Sequence, residues 1–447
     1  MNAGRVQSPA EALRELGKHV LLDGFGIVLD LEKSHGSRIR DAASGRMLLD
    51  LYGCFGSMPV GFNHPWFDRP EVREELLAAA KTKMANSDVG TRQFAEFVAT
   101  FHRVAGLPPL ERYFFIEGGT LAVENALKAA MDWKVRKNLA AGRQGRGTDI
   151  VHFERAFHGR SGYALSLTNT DPVKTALFPK FDWPRLPAPV LDFSLGEIAR
   201  ERDAETRERE CERKLRGLLE SRSDDVAAVL IEPIQGEGGD RHFRGEWLRT
   251  LRRLCDEFEV LLIFDEVQTG GGTTGRMWCC EHFSVVPDLL AFGKKAQACG
   301  VMAGPRLDEI DDNVFRLSGR INSTWGGNLV DMVRATQCLQ IIESEDLLEN
   351  AARVGAKLLN ALRELARSEL LIGAPRGRGL MIGFDLPTRE LRDEFHRGLF
   401  EQGVLALRGG ERTIRFRPAL DFPETAVDEV TEMLARQCRW MAQKTTI

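Results

Sequence analysis

The sequence predicts an α/β fold: a large, mostly parallel sheet sandwiched by helices, plus a small α+β unit assembled from both chain ends. Three observations lead there. Short apolar runs at 113–116, 150–153, 226–231, 260–264 and 289–292 recur through the middle of the chain, each bounded by polar or glycine residues, as strands covered on both faces are. Between them lie longer patterns such as 122–134, apolar near every third or fourth residue, which reads as helix. The alternation of the two is what a parallel sheet requires.

The elements follow in order. Residues 27–29 and 47–51 bracket a polar, glycine-bearing stretch that suggests a small β-meander. From about Leu329 the chain carries long helical patterns and then strand-like segments at 380–385 and 413–416. The expected organisation is therefore an N-terminal segment of the small domain at 1–70, a large domain at 71–330 and a C-terminal small-domain segment at 331–447. The run 198–223 is dense in both charges at helical spacing, which predicts a solvated helix without a function of its own.

Composition removes several classes of function. The 447 residues suffice for two or three hydrophobic cores, and 43% hydrophobic with 28% charged residues is ordinary for a soluble chain. With 61 Lys+Arg against 65 Asp+Glu the net charge is −4, without the basic excess of a general nucleic-acid binder. No apolar run approaches the roughly 20 residues of a membrane span. The first thirteen residues lack an apolar core, so no signal peptide is expected. Eight scattered cysteines (54, 211, 255, 279, 280, 299, 338 and 438) form no C-x-x-C pair, as expected of reduced cytoplasmic thiols. Cys280 and His282 flank Glu281 without a second half-site, so no metal is expected.

The candidate chemistry sits at strand ends. Glycines 270, 272 and 275 in GGGTTG satisfy G-x-G-x-x-G, but the motif follows a polar segment instead of opening a helix from a strand, and a glycine-rich turn is the better reading. In RYFFIEGGTLAVENALKAAMDWK a strand meets two glycines and a helix beginning near Thr120, whose free N–H groups suit a phosphate. Past the strand at 150–153, Phe157 or His158 offers a face to a flat heteroaromatic ring and Arg160 a fork for a carboxylate. Asp265 ends an apolar strand, where a carboxylate needs a cation or a protonated ring nitrogen. Lys294 follows the apolar run 289–292, a position where desolvation lowers an amine's pKa and permits a Schiff base. Singly, each has a plainer reading: an N-capped helix, a packed loop aromatic, a helix-capping Asp, a surface lysine. Together, phosphate cup, stacking aromatic, carboxylate and lysine are the set that pyridoxal phosphate requires.

In this order the segments EGGTLAVENALKAA, FHGRSGYALSLTNT, IEPIQGEGG, LLIFDEVQTGGGTTG, PDLLAFGKK, NSTWGGN and IRFRPAL resemble the class III (ω-) aminotransferases of the pyridoxal-phosphate type I fold, from Gly24 through Pro418. The resemblance implies pyridoxal 5′-phosphate as cofactor, a homodimer with sites at the subunit interface, and no nucleic-acid or membrane partner. It implies that Lys294 carries the cofactor, since the family's lysine stands six residues after the Asp of a Pro-Asp pair, here Asp288; Lys295 is left a supporting role. By the same transfer Gly119 and Thr120 bind phosphate, with Thr324 reaching in from a neighbouring subunit. Phe157 stacks on the ring, His158 and Glu232 support the pocket, and Asp265 faces the pyridine nitrogen. Val267 and Gln268 line the other face and O3′. Arg160 takes the substrate's distant carboxylate and Arg415 the α-carboxylate, with Glu237 as Arg415's alternating partner; Gln268 and Asn322 complete the substrate site. Within the family the resemblance favours the branch acting on the ε-amine of L-lysine, with 2-oxoglutarate as acceptor. γ-Aminobutyrate and ornithine are the alternative donors, and racemases or mutases share the fold. Two departures stand out. Thr120 replaces a smaller residue or Ser, and KAQACGVMAG lacks the Gly-Gly-x-Pro of acetylornithine and ornithine enzymes.

Overall fold

The computed structural model describes residues 8–445; the outermost parts of both terminal segments, including the start of the stretch read as lacking a signal peptide, lie outside the described residues. Seven strands form the large sheet, in the order Arg112–Ile116, Cys299–Ala303, Leu289–Phe292, Leu261–Asp265, Val226–Ile231, Asp149–Phe153 and Arg185–Leu186. From Leu289–Phe292 to Arg185–Leu186 every pairing is parallel. Cys299–Ala303 runs antiparallel to both of its neighbours.

The central strands carry continuous apolar runs because both faces are covered. Leu261 and Ile263 join the core under the helix Gly119–Ala140, with Ala122, Val123 and Ala126. Leu262 and Phe264 point the other way, into the core under the helices Glu197–Arg222 and Gly245–Glu257, with Leu215, Trp247 and Leu251. Alanines on the first helix let it approach the sheet closely. Truncating a side chain such as Leu262 would cost about 2–5 kcal/mol. The charged run is the single helix Glu197–Arg222, with Arg207–Asp203 and Lys214–Glu210 paired one turn apart.

A second, antiparallel sheet orders Gly373–Arg378, Met381–Asp385, Thr413–Phe416 and Leu407–Gly409. A third joins the chain ends: Arg38–Arg40 pairs antiparallel with Met47–Asp50, which pairs parallel with Val404–Leu405. The strand expected at 27–29 is reduced to one bridge, Leu29 to Asp41, because the Asp41 carboxylate takes the Val28 N–H at 3.0 Å and ends the ladder there. The expected bounds at 70 and 330 fall at the start of the helices Pro70–Ala80 and Leu329–Ser344, which pack on each other. Among the described residues no helix is long and apolar enough to cross a membrane, and no three His, Cys, Asp or Glu residues gather as a metal site.

The sheet's register positions the chemistry. Ile231 stands opposite Phe264, and Ala291 opposite Asp265. Glu232, Asp265 and Lys294 therefore leave the carboxyl edge side by side, where open α/β sheets hold their ligands.

Candidate active site

Two adjacent lysines leave this edge and meet different fates. Lys294 adopts a left-handed backbone (φ 49°), a costly conformation for a side-chain-bearing residue and one found where structure serves a site. Its amine makes no hydrogen bond or ion pair with a described residue. Burial pushes its ammonium below the usual lysine range, against the opposing pull of the Asp265 and Glu232 carboxylates. Lys295 instead donates to Met58 O and Pro418 O, both at 2.7 Å, and burial brings it down to about 7. Its stem also backs the GGGTTG turn: a Cβ on Gly271 would lie 2.7 Å from Lys295 Cβ. Gly271, Gly272 and Gly275 all have positive φ, as a glycine-rich turn needs.

Asp265 is buried. Its Oδ2 lies 2.8 Å from His158 Nδ1, and its Oδ1 accepts the Val267 N–H at 3.1 Å. His158 is itself fixed by Thr168, whose hydroxyl accepts the His158 and Gly159 N–H groups at 2.9 and 3.1 Å and donates to Gly159 O at 2.7 Å. Glu232 accepts the Phe157 and Gly236 N–H groups, both at 3.0 Å, and burial raises its carboxyl to about 7. Phe157 is half-buried, with Arg160 at 6.0 Å and Lys174 at 5.6 Å from its ring centre. Arg160 is exposed.

The expected cup lies at the N-terminus of the helix Gly119–Ala140, entered through Gly118 at φ 105°. Gly119 sits tightly against Val267: an added Cβ would meet Val267 Cγ1 at 2.6 Å. Gly293, one residue before Lys294, packs on both, its Cβ direction 3.5 Å from Val267 Cγ1 and 3.6 Å from Gly119 Cα. Thr120 lies against Gly159, whose φ is +125° and whose added Cβ would come within 2.4 Å of Thr120 Oγ1. A Gly159→Ala protein should therefore displace Thr120 and bind pyridoxal phosphate at least about tenfold more weakly. A fluorescence titration of cofactor-free protein reads this, and unchanged affinity would mean that Thr120 is not part of the cup.

On the arginine side of the site Glu237 and Arg415 have separate partners. The Glu237–Arg415 ion pair is not formed. Glu237 Oε1 is ion-paired to Lys174 Nζ, and Glu237 Oε2 is buried without a partner. Arg415 is satisfied elsewhere: Nε and Nη2 donate to Arg408 O at 3.2 and 2.7 Å, and Nη1 to Gln268 Oε1 at 3.1 Å. Burial lowers Arg415 to about 10, with nearby Arg417 adding to the effect. Gln268 thus has its oxygen on Arg415 and, at 3.2 Å, on Arg417. Arg417 is fully buried in a two-pronged pair with Asp240, Nη1 to Oδ2 at 3.0 Å and Nη2 to Oδ1. Arg417 and Asp240 escaped the reading of the sequence, although IRFRP places Arg415 and Arg417 two residues apart, hence on one strand face. Lys174 lies four residues past FHGRSGYALSLTNT, in a stretch that carries no motif of its own. Asn322 and Thr324 are exposed beside Asn86 and Ser87, and no hydrogen bond or ion pair joins them to the Lys294 cluster.

The residues fit the cofactor that the sequence implies. An uncommitted amine at Lys294, a buried carboxylate at Asp265, an orphaned His158 Nε2 behind it and a long helix's N-terminus meet around one sheet edge. Comparison with known proteins agrees. The family model "Aminotransferase class-III" matches residues 24–437. The chain is 51% identical over 429 residues to the L-lysine-epsilon aminotransferase of Mycobacterium tuberculosis, covering 95% of each. It is 48% identical to that of Amycolatopsis lactamdurans, covering 97% of this chain and 98% of the other. The solved lysine aminotransferase of M. tuberculosis superposes with a TM-score of 0.94 at 50% identity, covering 97% of this chain and 99% of that one.

Proposed function

Because the chain belongs to the class III aminotransferases, which use pyridoxal phosphate, we propose that it moves the ε-amino group of L-lysine to 2-oxoglutarate, giving 2-aminoadipate 6-semialdehyde and L-glutamate. What supports this reading is the 51% identity over 429 residues to an L-lysine-epsilon aminotransferase, together with a Glu237 paired to Lys174 and an Arg415 that carries no carboxylate. A site that takes first a CH₂–NH₂ group without a carboxylate, and then a 2-oxo acid with one, needs a guanidinium whose counter-charge can be moved.

When bound, pyridoxal phosphate supplies the electron sink that lets a C–H bond beside nitrogen ionise. The protein's residues do the rest. Lys294 would hold the cofactor, and its Nζ, which desolvation favours in the unprotonated form, is placed to take the proton from the carbon bearing the departing amine. Asp265, steadied by His158, would favour a protonated ring nitrogen on the cofactor. Phe157 and Val267 would line the pocket of the cofactor ring, while the Gly119 N–H and Thr120 would hold phosphate. Gln268, oriented by Arg415 and Arg417, keeps its amide N–H groups for the cofactor's hydroxyl or the substrate. Arg160 holds the distant carboxylate of either substrate, and Arg415 the α-carboxylate of 2-oxoglutarate.

A donor panel with 2-oxoglutarate tests the reading, following glutamate and semialdehyde. Lysine should exceed γ-aminobutyrate and ornithine by at least about a hundredfold in kcat/KM, some 2.7 kcal/mol of transition-state discrimination. A better rate with either alternative would overturn the lysine assignment.

The exposed Asn322 and Thr324 belong, in this reading, to the site of a neighbouring subunit in a homodimer. Activity should fall on dilution in step with the dimer fraction followed by sedimentation. A monomer with full activity would exclude the arrangement.

A further inference from the structure

We propose that Lys174 is a specificity-determining positioning residue: it holds Glu237 away from Arg415 and so sets how readily the site admits an α-carboxylate. The inference rests on the transaminase reading above and adds to it a third charge, that of Lys174.

Lys174 ends the short turn Pro172–Lys174 and reaches Glu237 from a segment separate from those carrying Glu237 and Arg415. The pair is largely shielded, the two side chains being 17% and 23% exposed, so removing one partner disturbs the other more than in a surface ion pair. Among the described residues, the one other hydrogen-bond partner of the ammonium is Thr170 Oγ1 at 3.5 Å, and the Phe157 ring lies 5.6 Å away. Glu237 is the shared element. Its Oε1 is committed to Lys174, its Oε2 is buried and unpaired, and its charge still acts on Arg415 across the gap. Glu237 thus interacts electrostatically with two cations and is bonded to one. Arg415, held in place by Arg408 O and Gln268, has no carboxylate on it.

The consequence follows from competition. Every increment of stability in the Lys174–Glu237 pair is subtracted from the Glu237–Arg415 pair. Lys174 therefore biases the site toward an open Arg415, favouring the dicarboxylate half-reaction over the lysine half-reaction. Without Lys174, Glu237 has one cation left and closes on Arg415.

The test uses the holoenzyme and glutarate, which carries both carboxylates of 2-oxoglutarate but no carbonyl to react. Calorimetric titration should show Lys174→Met binding glutarate about tenfold more weakly than the natural protein, a change of about 1.4 kcal/mol, and Lys174→Arg close to normal. Half-reactions followed separately should move in opposite senses, the KM for glutamate rising and that for lysine falling, a split that general loss of structure does not produce. In a Glu237→Ala background, Lys174→Met should change glutarate binding by less than about twofold, because Lys174 acts through Glu237. Unchanged or tighter glutarate binding in Lys174→Met overturns the proposal. So does an equal loss in the Glu237→Ala background, which would make Lys174 a direct carboxylate ligand. If the natural protein fails to turn over lysine with 2-oxoglutarate, the functional reading itself fails, and this outcome is seen before any variant is made.

Discussion

A Lys294→Ala protein should fold, bind pyridoxal phosphate without a covalent link, and lose at least about 10⁴-fold in turnover, since one side chain both carries the cofactor and moves the proton. Borohydride reduction of the natural protein should trap the cofactor on Lys294. Lys295→Ala should retain the trapped adduct and measurable turnover but lose stability. It leaves Met58 O and Pro418 O without their donor, at about 1–3 kcal/mol for a buried group left unpaired. A trapped peptide modified at Lys295 would reverse the roles of the two residues.

The second large effect concerns stability. Asp240→Ala should destabilise the protein by about 3–5 kcal/mol, because it leaves the guanidinium of Arg417, fully buried, without its counter-ion. Urea unfolding reads the difference. The contrast is Glu429→Ala, which removes a partner of Arg38 in a pair 35% and 40% exposed and should cost less than about 1 kcal/mol. Equal costs for the two would mean that Arg417 finds another acceptor. The damage from Asp240→Ala should also reach function, since Arg417 helps to aim Gln268.

The sheet and its edge were legible in the sequence to a degree that side-chain pairing was not. Strands such as 226–231 and 289–292 announce themselves because burial on both faces demands unbroken apolar runs, and the register that sets Asp265 beside Ala291 follows from parallel pairing. The choice of Lys294 over Lys295 rests on the family resemblance, through the distance from Asp288. The two lysines' different environments come from packing that the sequence does not spell out. The partner of Glu237 was not legible either. A glutamate with two cations in reach chooses by a small difference in free energy between side-chain arrangements, and no spacing in the sequence encodes that difference. Strand 27–29 failed for a similar reason: an aspartate carboxylate intercepted the Val28 N–H, and hydropathy does not register such competition. Asn322 and Thr324 lie beyond single-chain reasoning altogether if a second subunit completes their site.

The sheet that joins the two chain ends carries a consequence for how the molecule is made. Leu49 pairs with Val404, so one side of Met47–Asp50 has no ladder until nearly the whole chain has been synthesised. Over the same interval Asp240 awaits Arg417, and Gln268 awaits both arginines. Vectorial synthesis thus delivers the large sheet and Lys294 early but the floor of the site last, a high-contact-order closure of the kind that folds slowly. A nascent or truncated chain that stops before residue 404 exposes an unpaired strand edge near its beginning and a carboxylate without its cation in its middle. Its expected fate is aggregation or degradation, not a working core with a missing appendage.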